Sequence, residues 1–466
     1  MIMEYATDTY QVFNFSKDEI YTQYAMSGRF VTAIIGRLIK IAGISEIAIY
    51  IISSISAIIF ALLSIYKLYK IIKVDVDSRF LKFLIPFLII INPFSIELFL
   101  FIEKGIMWFG VFMCICAVEQ VVKYLSSDSV KRKKKKNVIL ALFLMFVANC
   151  SYQGVVGIFV SISLVYILKY SKNVKEFLKN NVVIGCIYGI PALLDFILIK
   201  LLYNSNRLNG RIAFNESIIK IIINTKKMAI KTYNILPKYL LIFCIFFTFV
   251  LLCCKIIMGK NTQKWYIIIL KYLYILIGIV VITVIPQIAQ PTKDIWFVAR
   301  STYSFSSIYG ILVLYLFLNC KMDKSTTVLI IAISLILLMF QFQKFGIIIK
   351  DRYILNEKDY NVSMQIINKI KEYEQNTGKK ITKIQIYDDK NPGYTYGGIF
   401  ATGDINVKAY STEWSTKAIL EYYLKRKLIQ EEKNEEIMKF FLERDWNEFN
   451  EEQIIFSENT INLCKF

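Results

Sequence analysis

Not one of the 466 residues is a histidine. That absence removes Ser-His and Cys-His nucleophiles and every His-ligated metal, so serine proteases and zincins are excluded. Acid-base work falls to Asp, Glu, Lys or Tyr. Proline is scarce too, with 7 residues in a composition rich in Ile, Lys, Asn and Tyr, which fits an AT-rich genome and carries no mechanistic content. The 9 cysteines lie mostly in apolar stretches, as do Cys114, Cys116, Cys244, Cys253 and Cys254, and no disulfide framework is readable from their spacing. Acid is sparse where the chain is apolar: residues 1–349 hold 38 Lys+Arg against 16 Asp+Glu, whereas residues 350–466 hold 18 against 20. What the chain has in abundance is apolar side chains, at 56%, with a mean hydropathy of +0.49. A globular surface could not stay wet at that composition, so this is a membrane protein. The excess base then reads as cytoplasmic loops rather than as a nucleic-acid surface.

A helix needs about 20 apolar residues to cross the hydrocarbon core. Candidate spans fall near 44–66, 80–102, 105–122, 137–149, 153–168, 182–202, 236–257, 265–287, 301–319 and 326–349, ten in all. The fourth and fifth are short halves meeting at Asn149-Cys-Ser-Tyr-Gln-Gly154, either as two tilted spans or as one re-entrant hairpin whose polar backbone must face protein or water. The basic loops at 67–82, 123–136 and 169–179 alternate with loops poor in base, which puts them inside and both termini outside. The run Lys131 to Lys136 is a topology determinant on this reading. An outward start is awkward, because residues 1–43 contain no apolar run to carry them across. Either a short tail is translocated unaided or an upstream signal-anchor helix precedes it, and the charge pattern favours the second.

These features give a mainly α, polytopic membrane bundle in three parts. A first outer region covers 1–43, the transmembrane domain 44–349, and a small extracytoplasmic α/β domain 350–466. In the last, Ser363 to Glu374 reads as an amphipathic helix, Ile381 to Tyr387 as a strand and Asn391 to Gly398 as a loop. Helices follow near Thr416 to Lys425 and Glu435 to Arg444, then a hairpin around Glu458-Asn459. The basic loop at 203–235 is outside, with the apolar spacing of a helix lying on the membrane surface.

The topology places eight acids on the outer side: Glu4, Asp8, Asp18, Glu19, Glu97, Glu103, Glu216 and Asp294. A membrane enzyme that deprotonates a hydroxyl needs one carboxylate at the water-membrane boundary, where a lipid-linked substrate can approach sideways. Most exposed carboxylates are simply solvated loop charge. Asp195, inside the sixth span after Pro191, is an intramembrane carboxylate to which the sequence assigns no role.

Four short stretches recur in order along the outer side: Ala6-Thr7-Asp8-Thr9-Tyr10; Tyr24-Ala25-Met26-Ser27-Gly28-Arg29-Phe30; Ser151-Tyr152-Gln153-Gly154; and Ala299-Arg300-Ser301-Thr302-Tyr303-Ser304-Phe305. Together they make residues 1 to about 349 resemble the serotype-converting bacterial glucosyltransferases of the membrane-embedded GT-C class. The resemblance implies transfer of a sugar, such as glucose, from a polyprenyl phosphate to a surface polysaccharide at the outer membrane face. It implies an acid in the first outer loop as the base. Asp8 matches that position, although the family often has two adjacent acids there and this chain has Asp8-Thr9, so Asp18 and Glu19 stay in contention. The family's first helix has no counterpart here, in agreement with the charge pattern.

Departure of a polyprenyl phosphate develops charge that a guanidinium can match at two oxygens. Arg29 and Arg300 lie at outer ends of spans, as donor-phosphate ligands or as interfacial anchors; Arg207 and Arg211 are weaker candidates, since anionic headgroups also explain them. Tyr152 and Gln153 either bind sugar hydroxyls or satisfy the freed backbone at the broken turn. The C-terminal domain carries no metal or nucleotide fingerprint, no cofactor is firmly implied and a metal requirement is unreadable, and the partners implied are the lipid-linked sugar, the polysaccharide acceptor and membrane lipids, not nucleic acid. A polysaccharide or lipid-linked sugar transporter would want related halves and polar residues at the midplane, and a non-catalytic wall-polymer assembly subunit would not depend on Asp8. The orientation is checked by thiol labelling in intact cells: Ser457→Cys should react and Ser127→Cys should not, and the opposite pattern would invert the topology.

Overall fold

Apolar runs bounded by basic loops have formed helices, in a computed structural model that describes residues 5–72, 78–126, 131–203, 234–258, 265–288, 298–319 and 322–465, with isolated helical positions between 219 and 230. Glu4, Arg207, Arg211, Glu216, Asp294 and most of the expected surface helix over 203–235 lie outside the described residues. Among the described residues eight helices are long and apolar enough to cross a membrane: Glu46–Ile72, Lys104–Ser126, Gln153–Tyr170, Val174–Tyr203, Leu240–Ile257, Trp265–Val284, Ala299–Asn319 and Lys324–Thr377. The chain is a polytopic helical membrane protein. Its lipid-facing surface is plain on the helix Glu46–Ile72, where Ile47, Ile51, Ile55, Ile58 and Leu62 stand exposed.

Two of the ten expected spans fall short of a crossing helix in length or apolarity. The helix Lys131–Ser151 begins in the basic run, which leaves its apolar part short, and it turns through Gln153–Val155 into the helix Gly157–Tyr170. The stretch 80–102 is not one helix. It runs as Arg79–Ile90, carries Pro86 inside, stops at Asn92, and resumes only as the single turn Ser95–Leu98 before Lys104 starts the next helix. The physical reason is Pro93, which has no N–H for the Ile89 carbonyl and disfavours helical geometry at Asn92, together with Asn92 itself: its Nδ2 donates to the Ile89 carbonyl at 3.1 Å while its Oδ1 accepts from the Phe94 N–H at 3.0 Å. The other freed carbonyls are also capped, that of Ile90 by the Tyr303 hydroxyl and that of Ile91 by Gln341 Nε2 at 2.7 Å. Irregular backbone is tolerated at this depth because side chains of neighbouring helices answer it.

The helix Lys324–Thr377 runs unbroken for 54 residues, about 80 Å at 1.5 Å per residue. Asp323 caps its start by accepting from Thr326 N at 3.2 Å, and Gly378, in the left-handed region at φ 68°, ends it. It crosses position 350 without a linker. Beyond it lies a four-stranded sheet of β1 (Lys383–Asp388), β2 (Ile429–Gln430), β3 (Ile454–Ser457) and β4 (Thr460–Lys465), in the order β2-β1-β4-β3. β1 is parallel to β2 and β4, and β3 and β4 form the hairpin expected around Glu458-Asn459. Side-chain alternation splits the sheet between two cores. Ile384, Ile386, Ile461 and Leu463 pack with Ile366, Ile370 and Ile419 from the helices Lys324–Thr377 and Glu413–Leu424, whereas Tyr387 and Cys464 meet Phe441 of the helix Glu435–Leu442.

The first helix, Thr7–Asn14, packs on Glu413–Leu424 of this C-terminal unit. Tyr10 is buried between Tyr5 and Tyr422, each at a ring distance of 5.4 Å, with Tyr423 at 6.1 Å. Asn356 on the long helix takes both backbone groups of Tyr5, accepting from its N–H at 2.5 Å and donating to its carbonyl at 2.9 Å. Asn14 Nδ2 adds a bond to the Ala418 carbonyl at 2.8 Å. Truncating a fully buried aromatic costs about 3–5 kcal/mol. Tyr10→Ala should therefore lower the unfolding temperature of the purified protein and expose the first 40 or so residues to limited proteolysis; an unchanged digestion pattern would show that another contact holds this segment.

Candidate functional site

The four outer stretches of the sequence are separated by up to about 290 positions, and the fold gathers them. Gly154 lies so close to the strand-like entry of Ala299–Thr302 that a Cβ there would sit 2.6 Å from the Arg300 carbonyl oxygen. Gln153 Nε2 donates to the Ser27 carbonyl at 2.9 Å and to Asp195 Oδ2 at 3.2 Å. Gly28, at φ +76°, has no room for a side chain: a Cβ would lie 2.4 Å from the same Asp195 carboxylate. The Arg29 guanidinium stacks 4.7 Å over the Tyr152 ring, and Thr32 Oγ1 donates to the Ser151 carbonyl at 2.9 Å. Tyr152 is buried, in the electrostatic reach of both Arg29 and Arg300.

Arg300 is the centre of charge. Its Nη1 pairs with Glu97 Oε1 at 2.8 Å and with Asp404 Oδ2 at 2.5 Å, and its backbone N–H donates to the other Glu97 oxygen at 2.7 Å. The guanidinium also lies 3.9 Å from the centre of the Phe101 ring. Glu97 is fully buried on the single turn Ser95–Leu98, so the break in the 80–102 stretch is what aims its carboxylate at Arg300. Asp404 comes from the C-terminal unit, from a tight turn in which Thr402 and Ile405 bridge and Gly403 has φ 61°.

Asp8 sits in the first turn of Thr7–Asn14, half-buried, accepting from the Thr7 hydroxyl at 3.2 Å. Burial pushes its carboxyl above the ordinary carboxylate range, Arg300 pulls it back down, and the charges of Glu103 and Asp404 push it up again. A proton acceptor strengthened in this way, within the electrostatic reach of a guanidinium, suits acid-base work. Glu103 in turn accepts the hydroxyl of the buried Tyr24.

The structure thus brings Asp8, Arg29, Tyr152, Gln153 and Arg300 into one region. It does not bring in Asp18 or Glu19 by any of their ion pairs or hydrogen bonds among the described residues. Asp18 is exposed and pairs with Arg37 at 3.0 Å. Glu19 closes a capping box, accepting from Ser16 N at 2.7 Å, which holds its carboxyl below the ordinary range, and lies 3.9 Å from Lys427. Arg207 lies outside the described residues. Sequence reasoning gave no role to Glu97 and missed Asp404. For Glu97 a signal existed, an acid within an apolar run; Asp404 stands in a polar loop of a distant region, with nothing in its surroundings to mark it. Among the described residues no group of three His, Cys, Asp or Glu side chains could hold a metal ion.

A family model described as Glucosyl transferase GtrII matches residues 3–311. No curated protein and no solved structure matches the chain. The matched region contains Asp8, Arg29, Glu97, Tyr152, Gln153 and Arg300 and stops short of the long helix and the C-terminal unit, so Asp404 reaches the cluster from outside it.

A carboxyl whose folded-state proton affinity is raised makes the folded state the tighter proton binder. Its contribution to stability is then full below the ordinary carboxylate value and declines as pH rises through the raised one. Asp8→Asn removes that decline together with the repulsion from Glu103 and Asp404. Its unfolding temperature at neutral pH should equal or exceed that of the parent protein, in thermal scans from about pH 4 to 8. A clear drop would mean that the carboxylate is held in place for stability.

Proposed function

The chain belongs to the GtrII glucosyl transferase family, and from that premise we propose that it takes glucose from a polyprenyl phosphate and adds it to a surface polysaccharide at the outer face of the cytoplasmic membrane. The observation that carries this reading is that Asp8 lies within the electrostatic reach of Arg300, which itself pairs with Asp404 of the C-terminal unit. Their roles differ. Asp8 accepts the proton of the acceptor hydroxyl as its oxygen attacks the anomeric carbon. The bond from that carbon to the phosphate oxygen breaks, and the electron pair leaves with the polyprenyl phosphate. Arg300 stabilises the departing phosphate, exchanging a contact with Asp404 for one with the phosphate while Glu97 keeps the guanidinium in place. One displacement inverts the anomeric centre.

Arg29, fixed against Tyr152, is a second cation for the donor phosphate. Gln153 is occupied with Ser27 and Asp195, which suits a part in shaping the turn more than a direct hold on a sugar hydroxyl. The C-terminal unit, on the outer side, closes the site through Asp404 and holds the helix of Asp8 through Tyr422 and Ala418.

The reading is tested with purified protein and glucosyl polyprenyl phosphate. Asp8→Asn keeps shape but removes basicity, so turnover should fall about 100-fold or more with donor binding retained. Arg300→Ala should weaken donor binding as well as turnover, because it removes charge contacts in ground and transition states alike. Normal transfer by Asp8→Asn would sink the base assignment and move attention to Asp18, Glu19 or Glu103.

A further inference from the structure

The ion pair of Lys255 with Asp323 joins the end of the helix Leu240–Met258 to the start of the helix Lys324–Thr377 at one membrane face. Lys238 lies just before the other end of the first helix, and Lys344 lies about 30 Å along the second at 1.5 Å per residue. Both lysines therefore stand at the opposite boundary of a hydrocarbon core about 30 Å thick. On the topology read from loop charge this is the outer boundary.

At that boundary a cavity of about 370 Å³ opens between the segment Asn234–Lys238 and the long helix. Asn234, Lys238, Phe340, Gln343, Lys344 and Ile347 line it, and the two lysines are the only charged side chains among its described lining residues. Asp351, whose charge acts on Lys344, does not line the cavity and accepts from the Phe400 N–H at 2.9 Å. Phe340 and Ile347 share one face of the long helix with Ile336, and Ile336 and Ile347 are exposed, so apolar surface continues from the cavity towards the bilayer centre. The cavity also adjoins the turn that presents Asp404. Asn234 Nδ2 donates to Thr402 Oγ1 at 3.4 Å, and Lys344 Nζ lies 3.5 Å from the centre of the Phe400 ring.

We propose that this cavity binds the phosphate headgroup of an anionic glycerophospholipid, with acyl chain along the Ile336 face of the long helix. Two ammonium groups at a membrane boundary, with no carboxylate in the wall between them, attract one phosphodiester. The amides of Asn234 and Gln343 add donors for the ester and hydroxyl oxygens of the headgroup. The lipid-linked donor of the proposed reaction carries similar phosphate chemistry, but its phosphate belongs beside Asp8 and Arg300. None of Asp8, Arg29 and Arg300 lines this cavity, so the phospholipid of the bilayer itself is the occupant. A headgroup held here stands against the contacts of Asn234 with Thr402 and of Lys344 with Phe400, and through them the membrane surface touches the turn that brings Asp404 to Arg300.

The test uses the full chain in phosphatidylcholine nanodiscs holding a trace of phosphatidylglycerol with a diazirine on one acyl chain near the glycerol. Peptide mapping after irradiation should place the label in 236–246 and 336–347, and excess unlabelled phosphatidylglycerol should displace it. A phosphatidylcholine probe of the same design should label these peptides about tenfold less. Lys238→Gln combined with Lys344→Gln should cut phosphatidylglycerol labelling about tenfold or more; Lys350→Gln, at an exposed lysine of the same helix outside the cavity, should not. Native mass spectrometry of protein purified from its own membranes identifies the source, and the adduct lost in the double variant should have the mass of an anionic glycerophospholipid. Loss of a polyprenyl phosphate adduct instead would give the cavity to the donor, and displacement of the label by millimolar inorganic phosphate would give it to free phosphate; either overturns the assignment. Label in other helices, or equal labelling by the two probes, would overturn it as well, and both are read on the unsubstituted protein even where the double variant fails to fold. No arm measures sugar transfer, so the outcome is independent of the proposed activity.

Discussion

A fully buried carboxylate, Glu97, is bound twice by Arg300, through the guanidinium and through the backbone N–H. An unpaired charge at that depth is costly, so neither residue can be buried there without the other. Their pairing imposes the rest of the local architecture. To bring Glu97 to Arg300 the chain must leave helical geometry after Ile90, and to do so within the membrane it must find partners for the carbonyls of Ile89, Ile90 and Ile91. Asn92, Tyr303 and Gln341 supply them from three different segments. Tyr303 lies three residues after Arg300, so one stretch of chain both holds the ion pair and caps the break that creates it.

The parts of this arrangement that follow period and charge were legible in the sequence. Apolar runs gave most of the crossings, and the turn at Ser151-Tyr152-Gln153-Gly154 and the hairpin at Glu458-Asn459 stand where turn residues put them. What failed did so where a side chain overruled a local tendency. The run 80–102 is apolar enough for a span, and Pro93, which has no N–H for the Ile89 carbonyl, breaks it together with Asn92, which competes for the backbone groups. The short C-terminal elements were readable as separate pieces, whereas the helix from Lys324 to Thr377 shows no change of state at the point where its character changes from apolar to amphipathic. A switch in which face is buried is invisible to a window that asks only how apolar a segment is.

Residue types announced part of the charged cluster, and proximity supplied the remainder. Asp8, Arg29 and Arg300 stand in short outer stretches that invite attention. Asp404 does not, because its importance comes from a contact made across 104 positions and its neighbours, Gly403 and Ile405, serve only the turn that presents it. Nor could the sequence separate Asp8 from Asp18 and Glu19. That distinction arises from packing: the tyrosines 5, 10 and 422 draw the first helix inward and leave the second to make a surface ion pair and its own cap.

The unbroken helix from Lys324 to Thr377 acts mechanically as a rigid lever. Tyr5 is bonded to its Asn356, and Asp359 one turn further on accepts from the Ala409 N–H at 3.0 Å, so both the Asp8 helix and the loop after Asp404 are fastened to the same shaft. With an arm of about 80 Å, a tilt of about 5° at the membrane end sweeps the far tip through about 7 Å. Bilayer thickness and lateral pressure, which set the tilt of such a shaft, thereby become geometric inputs to the spacing of charges around Arg300.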